Sequence, residues 1–312
     1  MFYMDAANTE PIQYDNSLGL HNMLNQKKFK FLALCISMLL SPYAQALDLH
    51  AGDYDPAPAG TTIGNLYLQN GLSNSLYSGS HAVPGTNKLH SQIGIVSLMH
   101  YMDIGGKLAV PIAILPFGQG KSTVMGNTLG TDKGLSDLII GIPFWAYNNP
   151  KQQTYLVIAP FLHIPTGSYN ANNAVNLGHN RYRGLLQLTF STQVCPKIKW
   201  DIAADATVHG NNRDAFGGGT LSQKLGYQLQ TSARYSISPA TDVRAGVSYM
   251  DAGDTKQNGV TTQANTVSKF WLGTGLWLSQ KNQIILTYGR DIKVENGFKN
   301  ESQINMKLMN IF

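Results

Sequence analysis

The chain alternates apolar and polar side chains with a period of two in segment after segment, and nowhere sustains a helical period. The last segment shows it most plainly. Ile304, Met306, Leu308 and Phe312 fall on one face, Gln303, Asn305 and Lys307 on the other, and Asn310 interrupts the apolar side once. From Ile198 onward, Ile198, Trp200, Ile202, Ala204, Ala206 and Val208 oppose Lys199, Asp201, Ala203, Asp205, Thr207 and His209. Leu225, Tyr227, Leu229, Ala233 and Tyr235 oppose Lys224, Gln228, Gln230, Ser232 and Arg234. Val243, Ala245, Val247 and Tyr249 oppose Asp242, Arg244, Gly246 and Ser248. Successive side chains of a strand point to opposite faces of a sheet, so every such segment has one apolar and one polar face.

Marking these runs predicts about twelve strands, near 61–77, 89–102, 107–118, 135–147, 152–165, 181–194, 197–210, 221–237, 241–252, 265–279, 282–291 and 300–312. Their connections alternate in length. Short ones fall at Asp103 to Gly106, Asn148 to Lys151, Cys195-Pro196, Ser238 to Ala240 and Gln280-Lys281. Long ones fall at 78–88, 119–134, 166–180, 211–220 and 253–264. An up-and-down transmembrane barrel sorts its connections in this way, with tight periplasmic turns at one end and long outer loops at the other. A soluble sandwich has no reason to do so. Charged residues make up 13% of the chain and the net charge is +5, too few charges for a disordered tail, a coiled coil or a nucleic-acid arm. No run of about 18 to 20 apolar residues offers a membrane-spanning helix. The expected fold is all-β, an antiparallel up-and-down barrel of about twelve strands in a bacterial outer membrane.

Lys27, Lys28 and Lys30 precede the apolar run Phe31 to Leu40, and Ala44-Gln45-Ala46 closes it with an A-x-A pattern. A basic region, a short apolar region and a small-residue site describe a secretory signal peptide, read here as 23–46 with cleavage after Ala46. Residues 1–22 read as an upstream extension, with Met23 the natural start. Cys35 leaves with the leader, so the exported chain keeps Cys195 alone and has no internal disulfide.

Two groups of aromatics fit two interfaces. With the apolar face outward, Tyr101, Phe144, Trp200, Tyr235 and Phe312 lie near the short turns, and Tyr182, Tyr249, Phe270 and Tyr288 near the long loops. A terminal aromatic on an amphipathic last strand is the pattern read by the outer-membrane insertion machinery, which makes Phe312 its expected contact. The same assignment turns Lys107, Asp137, Arg181, Arg183, Lys199, Asp201, Asp205, Lys224, Arg234, Asp242, Arg244 and Lys269 inward, with Trp271 and Trp277. Charges facing a polar lumen cost little, whereas on the lipid face they cost up to about 2–4 kcal/mol each. Residues 47–60, ahead of the first strand, carry Asp48, Asp53 and Asp55, with Pro56 and Pro58 keeping them out of a central strand. Fourteen extended residues reach at most about 46–50 Å. The segment is therefore either a periplasmic tail or a plug drawn into the lumen toward Lys107, Lys199, Arg234 and Arg244.

The stretch Gly52-Asp53-Tyr54-Asp55-Pro56-Ala57-Pro58-Ala59-Gly60-Thr61 resembles the opening of the MetA-pathway phenol-degradation family, a group of transporter-like outer-membrane proteins. Gly105-Gly106 and Leu115-Pro116-Phe117-Gly118 come next, and the block from Ala159 to Leu188 is the strongest match. Its core is Pro165, Thr166, Gly167, Ser168 and Tyr169, then Asn176, Leu177, Gly178, Asn180, Arg181 and Tyr182, where the family more often has Trp at the last position. The resemblance covers most of 50–312. It implies an outer-membrane barrel with a role in uptake of hydrophobic or aromatic compounds. Within that block Arg181 sits at the base of the outer loop, and charge-assisted bonds to carbonyls near Pro165 to Ser168 are its expected role.

Enzymatic chemistry finds little support. Gly118-Gln119-Gly120-Lys121-Ser122 lacks the earlier glycine of a phosphate loop, because Leu115 stands there. There is no H-E-x-x-H, C-x-x-C or complete G-x-S-x-G. The histidines are scattered singly, and His163 and His209 read as strand or lumen residues rather than metal ligands. The expected function is a channel or transporter for small hydrophobic or aromatic solutes, with lipid as its surroundings and no cofactor, metal or nucleic acid. The alternatives are a barrel enzyme of the lipid-hydrolase type and a structural or adhesive barrel.

Overall fold

The computed structural model describes residues 49–312. The leader, the cleavage after Ala46 and Asp48 lie outside the described residues.

The strands in chain order begin with β1 (Thr62–Ser78), β2 (His81–Ala82), β3 (Lys88–His100), β4 (Met102–Ile104), β5 (Lys107–Ala109) and β6 (Ile112–Val124). They continue with β7 (Asn127–Leu135), β8 (Leu138–Gly141), β9 (Phe144–Asn149), β10 (Thr154–Ile164), β11 (Arg183–Cys195) and β12 (Ile198–His209). The last are β13 (Leu221–Gln223), β14 (Gly226–Ser238), β15 (Thr241–Asp251), β16 (Thr255–Gln257), β17 (Val260–Thr262), β18 (Thr266–Trp277), β19 (Asn282–Glu295) and β20 (Gly297–Ile311). All pair antiparallel. β3 joins β1 and β6; β6 joins β7 and β8; β10 joins β8 and β9. The order then runs β10, β11, β12, β14, β15, β18, β19, β20. β20 returns to β1, from Ile63↔Ile311 to Tyr77↔Gly297, with bulges near Leu72 and Ser73. Because β7, β8 and β9 are successive pieces of one wall, the barrel has twelve antiparallel walls and closes on itself.

The lipid face obeys the sequence period. Leu98, Leu188, Leu229, Leu272 and Ile304 stand exposed on it, while their neighbours in sequence turn inward. Trp200, Tyr235 and Phe312 lie exposed at the short-turn end, and Tyr182, Tyr249 and Tyr288 at the other. Tyr101 departs from its expected place in the girdle. It keeps the parity of Ile95, Ser97 and Met99, which face the lumen while Val96 and Leu98 face lipid, so the ring turns inward to pack on Trp145 at 5.8 Å.

The long connections are more ordered than their composition suggests. The stretch 119–134 is not a loop: β6 and β7 pair from Phe117↔Leu135 to Val124↔Asn127 around Met125 and Gly126, both left-handed with φ 50° and 81°. Its residues alternate but carry no apolar outer face to mark them, because above the bilayer that face meets water, while Val124 and Leu129 turn in toward the barrel mouth. The stretch 253–264 is the hairpin β16–β17, turned at Asn258 and Gly259, and with β13 it forms a separate three-stranded sheet. β14 accordingly starts at Gly226, later than 221. The expected strand near 135–147 is interrupted at Ile142-Pro143, where proline lacks the donor a ladder needs.

This arrangement sets a topology. In a Cys195→Ser background, cysteine at Asn172, exposed in the outer loop, should react with an impermeant maleimide on intact cells, and cysteine at Lys151 should react only after the outer membrane is opened. Labelling at 151 without labelling at 172 would invert the barrel.

Candidate functional site

The lumen has two unlike halves. Along β11, β12, β14 and β15 the inward side chains are polar, among them Gln187, Thr189, Lys199, Asp201, Asp205, Gln228 and Arg244. Along β6 and β8 to β10 they are apolar: Ile114, Ile139, Trp145, Val157 and Phe161 form the buried cluster there, joined by Ile95 and Met99 of β3. The inward face of β10 is apolar because the run Tyr155 to Phe161 carries no polar residue to alternate with. That continuous run is the signal that could have identified this half, since a strand apolar on both faces must be buried on both.

Residues 49–60 rise from the short-turn end into the lumen. Gly60 donates to the Tyr101 carbonyl at 2.7 Å, while Leu49, farther in, donates to Gln230 Oε1 at 2.9 Å. Two ionic clamps hold the segment. Asp55 is paired with both Lys199 and Arg234. Asp53 takes Lys307 Nζ at 2.9 Å and the backbone N–H of His50 at 2.9 Å. Between them Gly52 donates to Asp201 Oδ2 at 3.1 Å, Arg244 Nη1 donates to the Ala51 carbonyl at 3.0 Å, and Tyr54 donates to Gln187 Oε1 at 2.8 Å. Burial pushes the Asp55 carboxyl up, but Arg234 and Lys199 outweigh it and hold it below the ordinary carboxylate value. Burial likewise raises Asp53, and Lys307 and then His50 bring it below that value.

The opposite end is narrowed by the chain between β10 and β11. Val175 packs with Leu76, Leu89, Val124 and Phe298 inside the barrel mouth, and Leu177 is buried beside it. Asp137, in the break between β7 and β8, anchors this loop: Oδ1 accepts from Gly167 N at 3.2 Å, and Oδ2 from His179 N at 3.1 Å. Ser136 Oγ donates to the Leu177 carbonyl at 2.8 Å. Gly167 and Gly178 touch back to back; a Cβ on Gly178 would meet the Gly167 carbonyl carbon at 2.7 Å. Thr166 Oγ1 takes the N–H of Leu138 at 3.0 Å, and Asn176 bonds back to Asn170 and Asn173. Pro165 ends the strand ladder, and Asn180, left-handed at φ 53°, donates to Asn212 Oδ1 at 3.0 Å. The loop is thus drawn inward rather than wholly displayed at the surface.

Between the N-terminal segment below and Leu177 and Phe298 above lies a chamber of about 320 Å³. Ile95, Ile139 and Phe161 line one side, Lys269 and Gln228 the other. Trp271 packs against His50, with ring centroids 5.7 Å apart and planes tilted by 53°, beside Gly246.

Two inward assignments change, and one expected bonding partner. Lys107 is exposed in the β4–β5 turn, where Nζ reaches the Ala146 carbonyl at 3.3 Å, because that turn projects past the barrel rim. Lys224 lies at the outer rim, exposed and paired with Asp254 at 3.0 Å. Arg181 does not bond to Pro165 to Ser168; it donates to Gln223 on β13, since the loop reaches over to the small outer sheet. Lys307 was on the polar face of its strand but not among the expected partners of the plug, because its distance from Asp53 in sequence hides a pairing created by barrel closure. The alternation of the last strand was the available signal.

The clamps make a test of the segment. A carboxyl held below its unfolded value stabilises the folded state above that value, and loses the contribution as pH falls through the folded one. The segment should therefore stay in place from pH 8 to 5 and release only in acid, below the ordinary 3.8. Each charged hydrogen bond is worth about 1.5–3 kcal/mol. Asp53→Asn with Asp55→Asn should raise maleimide labelling of a cysteine at buried Ala51 at least tenfold at pH 7. Unchanged labelling would show that the clamps do not hold it.

The family model described as "Putative MetA-pathway of phenol degradation" matches residues 73–304. A crystal structure of an outer membrane channel from Pseudomonas putida F1 is similar over 85% of this chain and 100% of its own, at 29% identity and a TM-score of 0.81. The transport unit of the autotransporter AIDA-I from Escherichia coli shares the barrel fold alone, at 9% identity over 89% of this chain and 96% of its own, with a TM-score of 0.50. No curated protein sequence matches the chain. On the strength of the family match, which spans most of its length, the chain belongs to the phenol-degradation family of outer-membrane barrels.

Proposed function

We propose that this outer-membrane barrel is a channel for small hydrophobic or aromatic solutes. The observation that carries the reading is the apolar half of the chamber. A lumen that served only ions or sugars would gain nothing from turning Ile95, Ile139, Trp145 and Phe161 inward, whereas a hydrophobic solute gains about 25 cal/mol for each Å² it buries against them. The similar structure from Pseudomonas putida F1 is itself an outer membrane channel, which supports the same reading. The chain's own residues supply positioning and solvation here, not covalent chemistry. The basic leader supports export with cleavage after Ala46. The exposed Phe312 ring at the end of β20 supports delivery through the insertion machinery.

The two constrictions make the passage selective. The clamped segment closes much of the lower lumen, and the inward loop closes much of the upper. Small solutes that fit the chamber are favoured over bulk flow of water and salt.

Initial uptake of radiolabelled toluene by a Gram-negative host should rise several-fold when the protein is present. Ile95→Asp, which puts a charge on the apolar wall, should cut that gain at least fivefold while the barrel keeps its heat-modifiable mobility on a gel. Equal uptake with and without the protein would overturn the reading.

A further inference from the structure

Where the apolar wall meets the inward loop, two buried guanidiniums and two imidazoles gather at the chamber's edge. His163, Arg183 and His209 lie side by side across β10, β11 and β12, in the registers His163↔Arg183 and Arg183↔His209. Arg181 is one turn of the chain above them, 5% exposed, and Arg183 is 4% exposed. Both guanidiniums stay charged at any physiological pH. Among the described residues, Asp137 is the carboxylate that acts on both. Its oxygens are already occupied by Gly167 N, His179 N and His179 Nδ1, the last at 3.1 Å.

The nearest bonding partners of the two guanidiniums are neutral side chains. Arg183 Nη2 donates to His163 Nδ1 at 2.8 Å, so that ring nitrogen is an acceptor and the imidazole is neutral. Arg181 Nη2 donates to the neutral amide of Gln223. Arg181 Nη1 and both ring nitrogens of His209 are buried and bond to nothing among the described residues. A buried charge without a counter-charge costs several kcal/mol, and a buried donor without an acceptor about 1–3 kcal/mol. A guanidinium pairs best with a planar carboxylate, which takes two parallel N–H groups at once. Asp137, His163 and Arg183 also line the chamber, next to Ile139, Phe161 and Leu177.

We propose that Arg181, Arg183 and His209 form a binding site for the carboxylate of an amphipathic solute whose hydrophobic body lies in the chamber. The inference rests on the channel reading and narrows its substrate class to hydrophobic monocarboxylates, with aromatic carboxylates as the fitting example. The carboxylate fills the unoccupied donors of Arg181 and His209. The ring replaces water against the apolar wall.

Calorimetry on the protein in lipid nanodiscs tests this with three probes: benzoate, its neutral analogue benzyl alcohol, and inorganic phosphate. Benzoate should bind wild type at least tenfold more tightly than benzyl alcohol and than phosphate. Arg181→Gln with Arg183→Gln should bring benzoate within twofold of the alcohol and leave the alcohol unchanged. Arg181→Gln alone, remote from the strand ladder, should remove part of the preference if the double variant fails to assemble. Benzyl alcohol binding as tightly as benzoate would overturn the carboxylate site while leaving the channel reading intact. Phosphate binding as tightly as benzoate would make the site one for free anions and overturn the amphipathic class. Binding of neither organic probe, together with no gain in toluene uptake, would overturn both.

Discussion

Everything in this molecule depends on the pairing of β1 with β20. In hydrocarbon no water is present to satisfy a backbone N–H or C=O, and each orphan costs several kcal/mol, so a spanning sheet must have no edge. The seam from Ile63↔Ile311 to Tyr77↔Gly297 removes both edges at once. Closure also fixes which residues meet inside. Lys307 and Asp53, 254 residues apart, come within 2.9 Å because the last wall lies beside the first. Period two then assigns each side chain to lipid or lumen, and a one-residue slip would exchange the two sets.

The lumen is narrow enough that its charges interact across it. Lys199, Arg234, Arg244 and Lys307 face inward with Asp201, Asp205 and Asp242. The segment 49–60 brings two more carboxylates and several backbone groups to the same region, and Asp55 stands between two cations. The segment is thus held by many moderate contacts spread over β11, β12, β14, β15 and β20. A restraint of that kind resists loss of any one contact but yields when both aspartates are neutralised. Pro56 and Pro58 keep the stretch from joining the ladder, so it stays separable from the wall.

The fold was legible because lipid imposes a strict rule on one face of every wall, and Trp200, Leu229 and Ile304 obey it. The connections were less legible. Above the membrane the rule lapses, and polar alternation around Met125 and Asn258 looks like a loop until the hairpins are seen. Tyr101 was misplaced because Ile93, Ile95 and Met99 make the inward face of β3 as apolar as the outward one, so period two gives no contrast there. The charged half of the lumen could be read from Lys199, Asp201 and Asp205, since a charge has a single affordable side. The apolar half could not be read that way, because Val157, Ala159 and Phe161 give no contrast with their outward neighbours. The inward fold of the 165–182 loop depends on Asp137, a residue in a different wall, and on the back-to-back approach of Gly167 and Gly178. Neither contact is local in sequence.

The width of the chamber is set from its wall. Gly141 in β8 pairs with Phe161 in β10, and the ring occupies the place of the missing side chain: a Cβ there would come within 2.3 Å of it. With no side chain at 141, the Phe161 ring is stored against the backbone of this wall. Gly246 receives the indole of Trp271 in the same way on the opposite side, with 2.6 Å to the ring from a Cβ. A Cβ at either glycine would push its ring toward the lumen, so the bare backbone at 141 and 246 keeps both aromatics against the wall.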